Sequence, residues 1–95
     1  MQVRRLLKMA AAPEDMTQYD WFSQGRIYET TGDDQKAIEA YEESIRIDPE
    51  FAKAWFFKAK LHFKLGQVEL ARDCARRVIE LEPKWEKYVK YLIEL

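Results

Sequence analysis

Residues 18–51 read QYDWFSQGRIYETTGDDQKAIEAYEESIRIDPEF, and residues 52–85, which follow without a gap, read AKAWFFKAKLHFKLGQVELARDCARRVIELEPKW. Laid over one another at a shift of 34, the two stretches share Trp21 with Trp55, Phe22 with Phe56, Gly32 with Gly66, Ala37 with Ala71, Ile45 with Ile79 and Pro49 with Pro83. Conservative pairs fill the intervals: Arg26 with Lys60, Ile27 with Leu61, Glu39 with Asp73, Ile47 with Leu81, Asp48 with Glu82 and Phe51 with Trp85. A fixed period of this length marks a stacked array, in which each unit buries its apolar face against its neighbours.

Within each unit the apolar spacing is helical. Trp21, Gly25 and Tyr28 share one stripe of a helix from about Thr17 to Thr31, which Gly32 ends by supplying a left-handed residue. Asp33 or Asp34 is placed to cap the next helix, whose inner face is Ala37, Tyr41, Ser44 and Ile45. Gly25 and Ala37 are small so that the two antiparallel helices approach closely, with Trp21, Tyr28 and Tyr41 filling the space around them. Pro49 forces a break, because it cannot continue the helix ladder. The second unit predicts helices near 50–65 and 68–81 with Trp55, Ala59, His62, Ala71, Ala75 and Val78 inside.

Two such units leave apolar end faces, and the flanks supply cover for them. Val3, Leu6, Leu7 and Ala10 fall at i, i+3, i+4 and i+7, so residues 2–12 read as an amphipathic helix ending before Pro13. A capping helix over the first unit is the preferred reading, and the second helix of a degenerate earlier unit is the other. Lys84–Leu95 predicts a C-terminal capping helix with Trp85, Val89, Leu92 and Ile93 on one side. The whole is expected to be a single domain over 1–95: a cap at 2–12, repeats at 18–51 and 52–85, and a cap at 84–95.

The recurring residues also resemble a known pattern. Trp21, Gly25, Tyr28, Ala37, Tyr41 and Pro49 match the tetratricopeptide repeat signature W-x2-L-G-x2-Y, A-x3-F, P, with Gln24 in place of the Leu. The second unit keeps Trp55, Ala59 for the Gly, Gly66, Ala71 and Pro83, but has Lys58, His62 and Ala75 where Leu, Tyr and Phe are preferred. The resemblance covers 68 of the 95 residues. It implies an all-α fold, a right-handed superhelical stack of antiparallel helix pairs (an α-solenoid) of about six helices.

Composition closes off several functions. Apolar residues make up 47% and charged residues 35% of the chain, ordinary values for a globular protein. One cysteine, Cys74, cannot form an internal disulfide, and no His or Cys spacing suits zinc. The basic start of the chain is cut by Lys8 and is too short for a signal core or a membrane span, which favours the cytoplasm. No Gly-rich phosphate loop is present, so no cofactor and no small-molecule substrate is expected. His62 and Cys74 lie on the two helices of one unit, but they occupy the places of Tyr28 and Ala40 and read as packing filler rather than a base and a nucleophile. No catalytic residue and no metal site is assigned.

What remains is surface. The net charge is −1, yet it is unevenly spread. Residues 18–51 hold three basic and nine acidic side chains, net −6, and residues 52–85 hold eight basic and four acidic, net +4. In tetratricopeptide arrays, which the chain resembles, the first helices of successive repeats line a groove for an extended peptide. Here that wall would carry Tyr19, Phe22, Arg26, Lys53, Phe56, Lys60, Lys64, Lys87 and Lys90. Aromatic anchors beside cations suit an acidic or carboxylate-bearing segment of another protein. A carboxylate clamp of the kind some family members use is half present: Lys53 and Lys87 suit it, while Arg26 and Phe57 stand where amides belong. Phe22 and Phe56 have an equal claim to packing between neighbouring first helices. An RNA-binding helical repeat is the alternative, weakened by the acidic first unit, and a self-associating scaffold is another. The expected state is a monomer, or a weak homodimer through Trp85, Tyr88, Tyr91 and Leu95.

Overall fold

The shift of 34 residues is reproduced in the backbone. The structure is a computed structural model that describes residues 13–94. Helices α1 (Gln18–Thr30) and α3 (Ala52–Lys64) are 13 residues each, and α2 (Asp34–Ile47) and α4 (Val68–Leu81) are 14 each. The shorter α5 spans Glu86–Ile93. Among the described residues there are five α-helices, two 3-10 turns (Pro13–Asp15 and Pro83–Trp85) and no strand. The helix expected at 2–12 lies outside the described residues, as does Leu95. Successive helices pack on one another, α1 on α2, α2 on α3, α3 on α4 and α4 on α5, which is the antiparallel helix-pair stacking of a solenoid.

The turns inside the pairs show how a sequence repeat becomes a structural one. Gly32 and Gly66 have φ of +84° and +80°, the left-handed region that a Cβ disfavours. At the first turn the Gly32 N–H donates to the Glu29 carbonyl and the Asp33 N–H to that of Tyr28, at 3.1 and 2.8 Å. At the second, Gly66 donates to Phe63 and Gln67 to His62, at 3.0 and 2.8 Å. Both are Schellman closures, which satisfy carbonyls that the helix end would leave bare.

Two boundaries differ from expectation. The last helix begins at Glu86 rather than Lys84, because Pro83 opens a 3-10 turn that places Trp85 before the helix proper. The third begins at Ala52 rather than at 50, because Pro49 and Glu50 form a turn and Phe51 is the N-cap residue. Capping differs too. Asp33 stands at the N-cap of α2, but its side chain makes no cap hydrogen bond; it faces Lys36 at 3.8 Å instead. The side-chain cap is found at α1, where Thr17 and Asp20 form a reciprocal capping box with bonds of 2.9 and 3.2 Å.

The core runs along the stack in two clusters. Ala37, Ile38, Tyr41 and Leu61 form one, with Phe22, Tyr28 and Phe57 packed against it. Ala59, Cys74, Ala75, Val78, Val89 and Leu92 form the other, with Trp55, Phe56 and Trp85 beside it. Leu61 in the first cluster and Val89 and Leu92 in the second come from the following unit or from α5, so each pair is completed by its neighbour. Gly25 is small because the Tyr41 ring lies directly on it, which refines the expectation of a close approach between Gly25 and Ala37. Ser44, fully buried, donates to the Gln18 carbonyl at 2.7 Å and ties the end of α2 to the start of α1.

Candidate functional site

Two sequence features that invite a catalytic reading resolve into packing. His62 is buried, and its Nδ1 meets Gln67 Oε1 at 2.7 Å across the turn that follows its own helix. Cys74 is buried in the second core cluster among Ala59, Ala75 and Val78. Burial there pushes its thiol up to about 11, with Lys58 opposing the rise and Asp73 and Glu42 adding to it. A thiol so placed is a poor nucleophile near neutral pH. Among the described residues no group of three or more His, Cys, Asp or Glu side chains is arranged to hold a metal ion. No described helix is long and apolar enough to cross a membrane.

The surface over α1, α3 and α5 is different in kind. Tyr19 meets Phe51 edge-on with ring centres 5.3 Å apart, and Phe51 meets Phe22 at 5.6 Å. Phe22 meets Phe57 at 5.3 Å, Phe57 meets Phe56 at 5.3 Å, and Phe56 meets Trp85 at 6.0 Å. Six rings therefore form one connected ribbon from the start of α1, across α3, to the turn before α5. Each contact has the edge-to-face form that the ring quadrupole favours. The ribbon rests on the core through Tyr41, which packs against both Phe22 and Phe57.

Cations lie along this ribbon. The Arg26 guanidinium carbon is 4.2 Å from the centre of Phe57, Lys53 Nζ is 5.7 Å from Phe22, and Lys60 Nζ is 5.2 Å from Phe56 and 5.9 Å from Phe57. Lys87 Nζ lies 5.2 Å over Tyr88. Each distance is within reach of a cation–π attraction. Arg26 also bonds Glu29 at 3.0 Å, and Glu29 accepts in turn from the Tyr41 hydroxyl. Burial, and then the bond to Glu29, raise the Tyr41 pKa, so the phenol stays a donor and holds this bond across the physiological range. Arg26 is thus a fixed part of the wall, bridging the polar anchor of Tyr41 to the face of Phe57.

Of the nine residues singled out from sequence, Tyr19, Phe22, Arg26, Lys53, Phe56 and Lys60 come together on the ribbon. Phe22 and Phe56 are half-buried in it, so they serve both as packing and as surface. Lys64 is drawn away to Asp34 at the start of α2, at 3.4 Å, and Lys90 to Glu94, the C-cap of its own helix, at 3.7 Å. Lys87 sits at the α5 edge. The sequence reading left Phe57 out of the wall, although it joins Phe22 to Phe56 in the ribbon, because its counterpart in the first unit is Ser23 and the repeat comparison is silent there. Phe51 and Trp85 carried a usable signal, being aromatic at the same place in both units.

Between α3 and α5 the ribbon opens into a hollow of about 380 Å³ lined by Lys53, Phe56, Phe57, Trp85 and Tyr88. Tyr88 is half exposed at its rim, 52%. A second hollow, about 440 Å³, is lined by Trp21, Tyr28, Lys36, Glu39, Ala40, Glu42 and Glu43 on α1 and α2 and is acidic in character. The charge asymmetry of the two units is partly met inside the molecule, where Lys58 pairs with Glu42 at 3.3 Å and Lys64 with Asp34 at 3.4 Å.

Comparison with known proteins agrees with this architecture. Two tetratricopeptide repeat family models match the chain, one over residues 31–94 and one over residues 2–50. An uncharacterized protein of Methanocaldococcus jannaschii is 34% identical over 62 residues, spanning 65% of this chain and 72% of that protein.

Proposed function

We propose, from the premise that this chain belongs to the tetratricopeptide repeat family, a scaffold for protein–protein interaction rather than catalysis, that it binds an extended acidic segment of another protein. The site is the wall over α1, α3 and α5, with Tyr19, Phe22, Arg26, Lys53, Phe56 and Lys60 as its centre and Lys64, Lys87 and Lys90 at its edge. One observation supports the reading: a ribbon of connected rings with cations lying over it across two repeats.

The ribbon suits an extended chain because its rings are held by the fold and lose little freedom on binding. Arg26, Lys53 and Lys60 offer donors to carboxylates, and a well-made charged hydrogen bond contributes about 1.5–3 kcal/mol. Two or three such bonds and the burial of aromatic surface must offset the lost freedom of the segment, and micromolar affinity, about −8 kcal/mol, is the expected strength. The cations of the wall coexist with a net charge of −1 because the acidic residues Glu39, Glu42 and Glu43 line a different hollow, on α1 and α2.

The test is charge reversal. Lys53 and Lys60 are both exposed, so Lys53→Glu with Lys60→Glu should leave helicity and melting nearly unchanged. Binding of acidic peptides, measured by fluorescence anisotropy, should weaken at least tenfold and should weaken with added salt in the unchanged protein. Equal binding by the doubly reversed protein would remove the wall as the site and turn attention to the acidic surface around Glu39, Glu42 and Glu43.

A further inference from the structure

The lysines of α3 and α5 divide into two groups. Lys58, Lys64 and Lys90 have found carboxylates, in Glu42, Asp34 and Glu94, although Lys58 also lies 5.5 Å over the Trp55 ring. Lys53, Lys60 and Lys87 lie over rings instead, at 5.7, 5.2 and 5.2 Å from Phe22, Phe56 and Tyr88. Lys53 lines the hollow between α3 and α5, Lys60 lies over two of its rings, Phe56 and Phe57, and Lys87 over a third, Tyr88. Its floor and sides are the rings of Phe56, Phe57, Trp85 and Tyr88, and Lys53 is the one charged residue among its lining residues.

Such a hollow is selective in two ways. Its ring faces could attract a cation, but Lys60 already lies over Phe56 and Phe57 and Lys87 over Tyr88, and with Lys53 in the lining they repel another positive charge. A bare carboxylate would reach the lysines but leave the aromatic surface wet. The occupant that satisfies both has an apolar body and an anionic neighbour. At about 380 Å³ the hollow is near the lower end of the about 300–1,000 Å³ range of ligand sites, and it suits one bulky side chain with its flanking main chain.

Resting on the proposed binding of an acidic segment, we infer that the partner places a bulky apolar side chain, aromatic or leucine-like, in the hollow walled by Phe56, Phe57, Trp85 and Tyr88, with acidic residues on either side of it under Lys53, Lys60 and Lys87. The segment recognised is then not simply acidic but an apolar anchor flanked by carboxylates. The lysines set the flanks and the rings set the centre.

Three short synthetic peptides separate the contributions: acidic flanks around a central Phe, the same flanks around a central Gly, and the central Phe with the flanks changed to Gln. Each is titrated by fluorescence anisotropy against the unchanged protein, Tyr88→Ala and the Lys53→Glu, Lys60→Glu pair. Tyr88 is half exposed and Lys53 and Lys60 are exposed, so the variants keep the fold, as circular dichroism would verify. The Phe-centred acidic peptide should bind about 10–100-fold more tightly than its Gly-centred form, the range expected for burying one large apolar side chain. Tyr88→Ala should erase most of that difference while leaving the Gly-centred peptide unchanged. Equal binding of the two acidic peptides, with both weakened by the lysine reversal, would overturn the anchor and leave the acidic-segment reading standing. A Phe preference that Tyr88→Ala does not alter would remove the hollow as its seat. Binding of none of the peptides, or no response to the lysine reversal, would overturn both.

Discussion

Gly25→Ala should destabilise the protein, although alanine is the better helix former. A Cβ at position 25 would come 2.6 Å from Tyr41 Cδ1 and 3.0 Å from Cζ, and closer still to Cε1. Carbon atoms rest at about 3.5–4.0 Å, so something must yield by roughly 1 Å. The ring has little room to do so: it is fully buried, it packs against Phe22 and Phe57, and its hydroxyl is bound to Glu29. Overpacking of this kind costs about 1–3 kcal/mol, and a deficit of this size belongs at the upper end. The gain in helix propensity returns about 1 kcal/mol. The net loss is therefore about 2 kcal/mol, or a fall in Tm of roughly 8–16 °C for a domain of this size. Urea and thermal unfolding followed by circular dichroism measure it. In a Tyr41→Leu background the same Gly25→Ala change should cost far less, because the two residues act through one contact. A neutral or stabilising Gly25→Ala in the unchanged protein, or strict additivity with Tyr41→Leu, would refute the reasoning.

Other expectations follow from single features. Gly32→Ala and Gly66→Ala meet no neighbour within 4 Å but must hold φ near +84° and +80°, so each should cost about 1–2 kcal/mol by backbone strain alone. Chemical denaturation of the single and double variants should show additive losses, with Asn at either site costing less than Ala. For Cys74 the sign is that of an acid whose folded pKa is raised. Its contribution to stability is present below about pH 9 and is lost as pH rises through about 11. Thermal unfolding over that alkaline range should therefore fall less steeply in Cys74→Ala, a residue that the first unit carries as Ala40, and parallel curves would contradict the assignment.

Much of the fold was legible because the sequence states it twice. The shift of 34 fixed which stretches are equivalent, and helices of 13 and 14 residues recur at that shift. Gly32 and Gly66 were readable because glycine is the residue that adopts the conformation each turn needs without strain. Other features depend on more than the repeat. Phe57 has no aromatic counterpart, so a reading built on the repeat had no reason to weight it, yet it joins Phe22 to Phe56. Lys64 looked like part of the binding wall because it lies one helical turn beyond Lys60. Its diversion to Asp34 depends on the start of α2 standing beside the end of α3, a tertiary fact that spacing within one helix does not contain. Asp33 has the right chemistry for a cap, but the residue that caps through its side chain is Thr17, whose Asp20 partner completes the box.

The measurement that bears most directly on the aromatic and cationic wall as the binding site is an amide chemical-shift titration by NMR with an acidic, Phe-centred peptide. The account predicts shifts that saturate together at Tyr19, Phe22, Lys53, Phe56, Phe57 and Lys60 and at the indole N–H of Trp85, with little change at Glu39, Glu42 and Glu43. Saturating shifts confined to Glu39, Glu42 and Glu43, with the α1, α3 and α5 wall silent, would contradict it.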